Sequence, residues 1–393
     1  MSSSSSSSSS LSVGLAGAVT MAGVMGFGRF VYTPILPGMI AGIPLSAADS
    51  GTIAAGNFAG YLLGAILSAY GWAAGRERSV ALFGIFASAL LLMAMGLTTS
   101  VAAFTVIRFM GGMASALAML FTSSIVMLHA VSRPAIGKLH FGGVGAGIAL
   151  SSVLVLVLNA LSGDAAHGWR ANWFASGVIV LAIFFFVRHY LPRPAADTVA
   201  QAEPPLVWRA PLTLTAVSYG LYGFGYVITA TFLVAIARMG HTGALVEFMV
   251  WCVAGCAAAI SPFAWSPVVR RLGLGGAYLA AIVLLLVGVV ASVELPPVAG
   301  TLVGGLLLGA TFMVITAFGL QLSRRFSPHS PRRAIAVVTA AFGAGQILGP
   351  LVAGFVAERT GSFTAPSLLA AGALVAAIAL AVPLRVSGET LTR

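Results

Sequence analysis

Apolar runs of about 20 residues recur along this chain, and they limit its fold more than any other feature. A helix of that length crosses a bilayer, because each residue adds about 1.5 Å and the hydrocarbon core is about 30 Å thick. Of the 393 residues, 59% are hydrophobic and only 7% are charged, whereas soluble domains carry about 25% charged residues. The sequence therefore predicts an all-α integral membrane protein.

Twelve membrane spans can be drawn along the sequence. They cover residues 11–36, 49–70, 80–97, 101–128, 139–161, 173–190, 212–238, 245–267, 277–293, 298–322, 333–356 and 366–384. The one sizeable polar, proline-rich interruption is 191–209, which is typical of a linker. We therefore expect an N-terminal six-helix bundle at 1–190, a cytoplasmic linker at 191–209 and a C-terminal six-helix bundle at 210–393.

The basic residues fall mostly on one side of this arrangement. If the N-terminus is cytoplasmic, fifteen of the 20 are cytoplasmic: Arg76, Arg78, Arg133, Lys138, Arg188, Arg193, Arg209, Arg270, Arg271, Arg324, Arg325, Arg332, Arg333, Arg385 and Arg393. Three are on the outer side (Arg170, Arg238 and Arg359), and Arg29 and Arg108 lie within spans. This positive-inside bias predicts that both termini are cytoplasmic, and it explains the net charge of +11 without nucleic acid.

The two halves of the chain repeat each other at a nearly constant offset. Gly-Phe-Gly at 26–28 recurs at 223–225, Gly-Ala-Gly at 145–147 recurs at 343–345, Asp49 matches Glu247, and Gly112 matches Gly309. The offset is 197 or 198 residues in all four cases. Because both halves have six spans and the same orientation, the repeat is parallel, with its axis along the membrane normal.

Several motifs resemble those of the major facilitator superfamily over essentially the whole chain. The segment GFGRFVYTPILP at 26–37 resembles the signature of the superfamily's YbfB/YjiJ-type branch. The arginine and small residues at 108–116 are similar to a fourth-span motif, and GGVGAGIALSS at 142–152 resembles the fifth-span motif without its usual proline. The motif after the second span lacks its acidic residue, which leaves the usual gating ion pair there in doubt. The resemblance implies a secondary transporter with a cavity between two six-helix bundles.

Two arginines are placed deep within spans, where a charge is costly unless it meets a partner. Arg29 and Arg108 lie roughly 10–12 Å below the outer surface at the helical rise. The resemblance places both spans on the central cavity, where two cations would repel each other and an anionic substrate would relieve the repulsion. Alternatively, Arg108 hydrogen-bonds backbone carbonyls of neighbouring helices.

Other polar residues follow helical spacing on spans that the resemblance places at the cavity. As further substrate-binding or gating candidates we identify Tyr32, Asn57, Tyr61, Tyr222, Tyr226 and Gln346. Tyrosines need partners for their hydroxyls, but a stripe of them also serves packing, and both interpretations stay open. Small residues at Gly56, Gly60 and Gly64 favour close helix packing over function.

All nine acids lie in loops or at span ends, although proton-driven carriers commonly use a buried carboxylate. If a proton is coupled, the candidates are Asp49, Glu247 and His140. The alternative for the two acids is stabilisation of helix N-termini, with Ser46 and Asp49 fitting a capping box.

The sequence thus predicts a monomeric secondary transporter of a small organic solute in the bacterial inner membrane, with an anionic substrate favoured. The alternatives are multidrug efflux of lipophilic or cationic compounds or, in a different class, a non-transporting receptor or scaffold. We find no phosphate-binding loop and no catalytic or metal-binding motif, so an enzyme, a cofactor, a metal and a nucleic-acid partner are not expected.

Overall fold

The computed structural model describes residues 3–70, 72–131, 133–163, 165–193 and 203–386, and its regular elements are all helical. Thirteen α-helices and one π-helix follow one another: α1 (Ser3–Met21), the π-helix (Ala22–Phe30), α2 (Tyr32–Gly42), α3 (Ala47–Ser68), α4 (Glu77–Met95), α5 (Val101–Ala130), α6 (Pro134–Leu161), α7 (Ala165–Tyr190), α8 (Ala210–Met239), α9 (Ala244–Ala264), α10 (Ser266–Glu294), α11 (Pro297–Phe326), α12 (Pro331–Thr360) and α13 (Thr364–Val386). Residues 194–202 of the predicted linker lie outside the described residues.

Twelve helical spans of the described chain are long and apolar enough to cross a membrane. Part of α1, the π-helix and α2 form the first span, and each later helix forms one more. The predicted all-α membrane fold is therefore confirmed. We call the first six spans the N-terminal half and the last six the C-terminal half.

The first span is longer than predicted. The sequence placed its end at residue 36, between two prolines, but the helix continues past Pro34 and Pro37 to Gly42. Proline removes one hydrogen bond, and within a packed membrane protein the carbonyl it leaves can be satisfied in other ways. Prolines therefore did not end this helix.

The π-helix is the one departure from α-helical hydrogen bonding in this span. Its nine residues include Gly26 and Gly28, and all nine are buried. Pro34 contributes to the change, because it has no N–H for the carbonyl of Phe30 and its ring crowds that carbonyl. Such wide turns are frequent at functional sites, and this one carries Arg29.

Glycines bring helix backbones into direct contact, and the contacts repeat between the halves. In the N-terminal half Gly112 of α5 lies against the carbonyl of Asn57 in α3. In the C-terminal half Gly309 of α11 lies against the carbonyl of Ala254 in α9. The members of each pair are 197 residues from their counterparts, so the offset found in the sequence recurs in the packing.

Two helix pairs join the halves along most of their length. In the first pair, α3 packs on α12, where Gly51 lies against the carbonyl of Pro350. In the second pair, α6 packs on α9, and the Ser152 hydroxyl donates to the carbonyl of Phe248 at 2.9 Å. We call the end of the bundle where α3 ends and α4 begins the basic end, and the end where α3 begins the opposite end.

Candidate functional site

Arg29 lies between the two halves with its guanidinium against aromatic rings. Its Cζ is 4.1 Å from the centre of the Tyr61 ring and 4.6 Å from that of Phe58, both on α3. The neighbouring Phe30 ring is 5.8 Å away. A guanidinium stacks favourably on aromatic faces, so these rings hold the cation in position while leaving its N–H groups available.

Two donors of Arg29 have no partner. The side chain is only 4% exposed, and both Nε and Nη2 are buried without a hydrogen bond. An unpaired buried N–H costs about 1–3 kcal/mol, and more when it carries charge. Arg29 therefore points neither at lipid nor into a set of backbone carbonyls, and its open edge is suited to an acceptor.

Arg108 behaves differently, although it is equally buried. Its Nη1 donates to the carbonyl of Gly28 at 3.0 Å and its Nη2 to the carbonyl of Arg29 at 2.9 Å. The Arg108 carbonyl in turn accepts from Asn57 Nδ2 at 3.0 Å. These bonds clamp the π-helix to α5 and α3. Whether Arg108 also contacts a substrate stays a prediction.

Tyr32 packs near Arg108 rather than near the Arg29 guanidinium. Its hydroxyl donates to the carbonyl of Ser50 at 2.9 Å, and the Arg108 Cζ is 5.2 Å from its ring centre. Tyr32, Asn57 and Arg108 thus form a supporting network behind the π-helix. The structure brings only Tyr61 of the N-terminal candidates into contact with the Arg29 guanidinium.

The C-terminal half contributes a second aromatic group, centred on Tyr226 of α8. Its hydroxyl accepts a hydrogen bond from Gln346 Nε2 of α12. Its ring is nearly parallel to those of Phe312 and Phe342, at interplanar angles of 6° and 3°. Centroid separations of 6.1 and 5.8 Å mean that the rings are offset.

The two aromatic groups meet across the interface between the halves. Phe30 contacts Phe312 edge-on, with 5.7 Å between ring centroids. One helical turn from Arg29, the Thr33 hydroxyl donates to the carbonyl of Ala230 on α8 at 2.7 Å. We call Arg29, Phe30, Phe58, Tyr61, Tyr226, Phe312 and Phe342 the arginine–aromatic site.

Tyr222 lies further into the C-terminal half. Its hydroxyl donates to the carbonyl of Phe312 at 2.7 Å and lies 3.2 Å from the Thr316 hydroxyl. The adjacent Tyr219 hydroxyl bonds the carbonyl of Thr316 at 3.2 Å. Both tyrosines therefore anchor α8 on α11, while Tyr226 stacks beside Phe312, the ring that contacts Phe30 of the N-terminal half.

The three candidates for proton coupling lie apart from Arg29 and from each other. Asp49 forms the expected capping box with Ser46 at the start of α3, and Glu247 pairs with Arg238 at 2.6 Å. His140 is fully buried, with Nε2 2.9 Å from the Ser123 hydroxyl. The capping box is confirmed, and a role in coupling stays a prediction for all three.

A cavity of about 210 Å³ lies on the opposite-end side of Arg29. It is lined by α2, α6, α8 and α9, and Pro34, Asn159 and the Arg238–Glu247 ion pair are on its wall. It therefore reaches to within five residues of Arg29 along the first span. A solute of modest size could approach the arginine–aromatic site from this side once the halves separate.

Sequence reasoning missed four rings of the site: Phe30, which adjoins Arg29, and Phe58, Phe312 and Phe342. Two of them carried a usable signal, because Phe58 precedes Tyr61 by three residues and Phe342 precedes Gln346 by four, which puts each pair on one helix face. Phe312 carried none, since it resembles any apolar residue of a membrane span.

The comparisons with known proteins agree with this architecture. The profile of a family described as uncharacterised MFS-type transporter YbfB matches residues 20–382. No curated protein matches the chain in sequence. A crystal structure of the nucleoside transporter NupG has a TM-score of 0.71 at 15% identity, covering 95% of this chain and 98% of NupG.

A bacterial homologue of the human lysosomal transporter Spinster, in an inward-facing and unoccupied conformation, is also similar. Its TM-score is 0.67 at 14% identity, with 98% of this chain and 95% of that chain covered. At these identities the likeness to both proteins shows the fold alone.

Proposed function

The chain belongs to the YbfB-type family of MFS transporters, as its motifs predicted, and we propose that its cargo is a small organic solute with an anionic group. It is thus a multi-pass membrane transporter rather than an enzyme. In the proposal the solute binds at the arginine–aromatic site, and the two halves expose that site to one side of the membrane at a time.

The single observation that carries the proposal is the unpartnered edge of Arg29. A buried charge without a partner is strongly unfavourable, so its presence needs a compensating interaction at some stage of the cycle. An anionic group bound to Nε and Nη2 supplies that interaction, because charge-assisted hydrogen bonds are about twice as strong as neutral ones.

The acids of the described chain support an anion over a cation. They lie at helix ends, where Asp49 caps α3, Glu247 pairs with Arg238 and Glu203 accepts from the backbone N–H groups of Arg332 and Arg333. Glu77, Glu294 and Glu358 likewise lie in the first or last turn of their helices. No described carboxylate is therefore placed to attract a cation to the arginine–aromatic site.

Alternating access is supported by the two glycine-lined contacts between the halves. Along α3–α12 and α6–α9 the backbones touch through glycines such as Gly51 and Gly145. Where glycines bring the backbones together the contact is made without interlocking long side chains, so rocking about these points needs little repacking. The Thr33 bond to α8 and the aromatic contact of Phe30 with Phe312 would break or re-form as the halves rock.

We also propose an oligomeric state, a membrane location and candidates for ion coupling. We infer a monomer in a bacterial inner membrane, and the fifteen-to-three distribution of basic residues supports cytoplasmic termini. If transport is coupled to protons or another ion, Asp49, Glu247 and His140 are the residues to test. An imposed pH gradient across proteoliposomes would reveal proton coupling as accelerated uptake.

Efflux of lipophilic compounds is the second candidate, and the aromatic rings around Arg29 favour it. The two functions differ in their need for the charge. Carriage of an anion requires Arg29, whereas carriage of a neutral apolar compound is expected to improve when a buried cation is removed.

The experiment that decides between them is solute uptake into proteoliposomes by wild-type protein, Arg29→Lys and Arg29→Gln. We expect Arg29→Gln to abolish uptake of organic anions and Arg29→Lys to retain a fraction, because lysine keeps the charge but not the planar fork. Arg209→Gln, an exposed arginine at the start of α8, is the matched control. Unchanged anion uptake in Arg29→Gln would remove Arg29 from the site.

A further inference from the structure

We propose that the arginine–aromatic site selects an aromatic monocarboxylate, that is, one carboxylate on a planar ring, over compact or doubly charged anions. The proposal rests on the function proposed above, because it names the chemical class of the solute carried at the same site. Three features of the site lead to it: the edge of the guanidinium that is open, the number of available cations, and the rings on both sides.

The unpartnered edge of Arg29 is complementary in shape and charge to a carboxylate. Nε and Nη2 lie on one side of the planar guanidinium, and their N–H bonds point in nearly the same direction. Both are the unpartnered atoms. Two parallel donors match the two oxygens of one carboxylate, and this bidentate arrangement is the most specific one that arginine offers.

The site holds charge for one carboxylate and not for two. The other buried arginine, Arg108, donates Nη1 and Nη2 to the carbonyls of Gly28 and Arg29. Only its Nε lacks a partner, and a single N–H cannot grip both oxygens of a second carboxylate. A dianion would therefore bring an unpaired charge into a buried site, which is costly.

The rings supply flat apolar surface on both sides of the charge. From the N-terminal half, Phe58 and Tyr61 lie on the guanidinium. From the C-terminal half, Phe312 and Phe342 lie nearly parallel to Tyr226. When the halves rock apart, a planar ring attached to the bound carboxylate would find aromatic faces on each half, and aromatic pairs gain energy beyond their buried area.

The size of the approach is consistent with a solute of one ring. The cavity beside the first span measures about 210 Å³, which is below the roughly 300–1,000 Å³ of pockets for drug-sized ligands. Its wall is mostly apolar but includes Asn159 and the Arg238–Glu247 ion pair, so apolar surface and polar groups lie side by side in it. A large lipophilic compound would not fit this space.

The test uses the full-length protein in lipid nanodiscs and follows its melting temperature with four probes. Benzoate is the aromatic monoanion, cyclohexanecarboxylate has the same charge and similar size without a planar ring, isophthalate is an aromatic dianion, and benzyl alcohol is neutral. A ligand that binds the folded protein raises its melting temperature by mass action. We expect benzoate to bind about tenfold more tightly than cyclohexanecarboxylate and more tightly than isophthalate or benzyl alcohol.

Substitutions of single ring residues test which rings give the preference for benzoate over cyclohexanecarboxylate. Phe342→Leu and Tyr226→Leu are expected to reduce the preference for benzoate to near unity while keeping the binding of cyclohexanecarboxylate, and Tyr226→Phe is expected to retain it. Phe83→Leu is the matched control, because Phe83 is 64% exposed on the surface of α4. Arg29→Gln should abolish the effect of both monocarboxylates.

The outcomes separate this inference from the proposed function. Equal binding of benzoate and cyclohexanecarboxylate, lost in Arg29→Gln, would overturn the aromatic preference and leave the anion carrier intact. Tightest binding of isophthalate would overturn the single-charge argument. Stabilisation by benzyl alcohol and benzoate alike in Arg29→Gln, or none by benzoate at about 10 mM in protein that melts cooperatively, would overturn this inference. The first of these two results would also overturn the anionic function.

Discussion

At the scale of single residues, two equally buried arginines use the same group in opposite ways. Arg29 and Arg108 are each 4% exposed. Arg108 satisfies two backbone carbonyls of the π-helix, so the fold depends on it. Arg29 bonds through neither Nε nor Nη2, so the fold tolerates it. In a functional interpretation, Arg108 positions the segment and Arg29 meets the solute.

This contrast gives a prediction about stability. We expect Arg108→Met to lower the melting temperature by roughly 5 °C or more, because two buried carbonyls lose their donor at about 1–3 kcal/mol each. Arg29→Met should leave the melting temperature unchanged or raise it, because an unpaired buried charge is replaced by an apolar side chain of similar length. Thermal unfolding of the purified variants in detergent measures both.

The control for this pair is Arg209→Met, since Arg209 is exposed at the start of α8 and should have no effect. The contrast requires a difference between the two buried sites. If Arg29→Met destabilised the protein as much as Arg108→Met, Nε and Nη2 of Arg29 would have to be hydrogen-bonded in the folded protein. The main argument for an anionic solute would then be lost.

The sequence was enough to single out Arg29 but not to describe its surroundings. A charge in an apolar span is conspicuous, and the tyrosine spacing indicated one face of α8 that serves either packing or the cavity. Phe58, Phe312 and Phe342 come from three helices that are distant in the chain, and nothing in a hydropathy pattern says which apolar residues meet. The site residues proposed from sequence therefore remain proposals, now with stated contacts.

At the scale of elements, small residues determine how closely the helices approach. The stripe at Gly56, Gly60 and Gly64 was predicted to serve packing, and this is confirmed: Gly56 and Gly60 lie against the carbonyls of Thr105 and Phe109. Lipid offers no hydrophobic drive between helices, so close backbone contact is the main source of their association.

A methyl group at these contacts should therefore destabilise, and equally so in both halves. Gly112→Ala and Gly309→Ala each place a Cβ against a carbonyl of the facing helix, and overpacking of this kind costs about 1–3 kcal/mol. In α13, Gly372 has no atom near the added methyl, so Gly372→Ala should stabilise by up to about 1 kcal/mol. Chemical unfolding in mixed micelles would compare all three variants.

If only one of the two equivalent substitutions lowered the stability, the repeated glycine contact would not contribute equally to the stability of the two halves. The comparison between Gly112→Ala and Gly309→Ala therefore tests the structural repeat itself. Gly372→Ala shows that any loss comes from the contact rather than from replacing glycine as such.

The elements could be predicted from sequence as far as hydropathy determines them. All twelve spans are present, because length and apolarity suffice to identify a membrane helix. The π-helix was not predicted, since a change from α to π hydrogen bonding leaves hydropathy unaltered. The end of the first span was wrong for a related reason: proline signals a break in water, whereas neighbouring groups compensate for it within a packed bundle.

At the scale of the whole molecule, the contacts between the halves differ at the two ends. At the opposite end, Glu358 of α12 accepts from the backbone N–H of Ala48 in the first turn of α3, at 3.1 Å. At the basic end, Lys138 donates to the Ser266 hydroxyl at 2.8 Å, and Glu203 of the linker accepts from the first backbone N–H groups of α12. Among the described residues, the carboxylate that joins the two halves is therefore Glu358, at the opposite end. We call its contact with Ala48 the clasp.

This asymmetry predicts that Glu358 favours the state in which the opposite end is closed. A carboxylate at a helix N-terminus contributes about 0.3–1 kcal/mol when exposed, and salt screens it. Glu358→Gln removes the charge while keeping the shape, so the ratio of open to closed molecules at that end should rise roughly two- to fivefold at low salt. Distances between spin labels at Thr99 and Thr364, which are exposed at that end in different halves, would report the change.

The control is Glu294→Gln, which changes another exposed acid at the same end and should have no effect. High salt should bring the wild-type distribution of label distances towards that of Glu358→Gln. Identical distance distributions for wild-type protein and Glu358→Gln at low salt would show that the Glu358 contact does not bias the cycle.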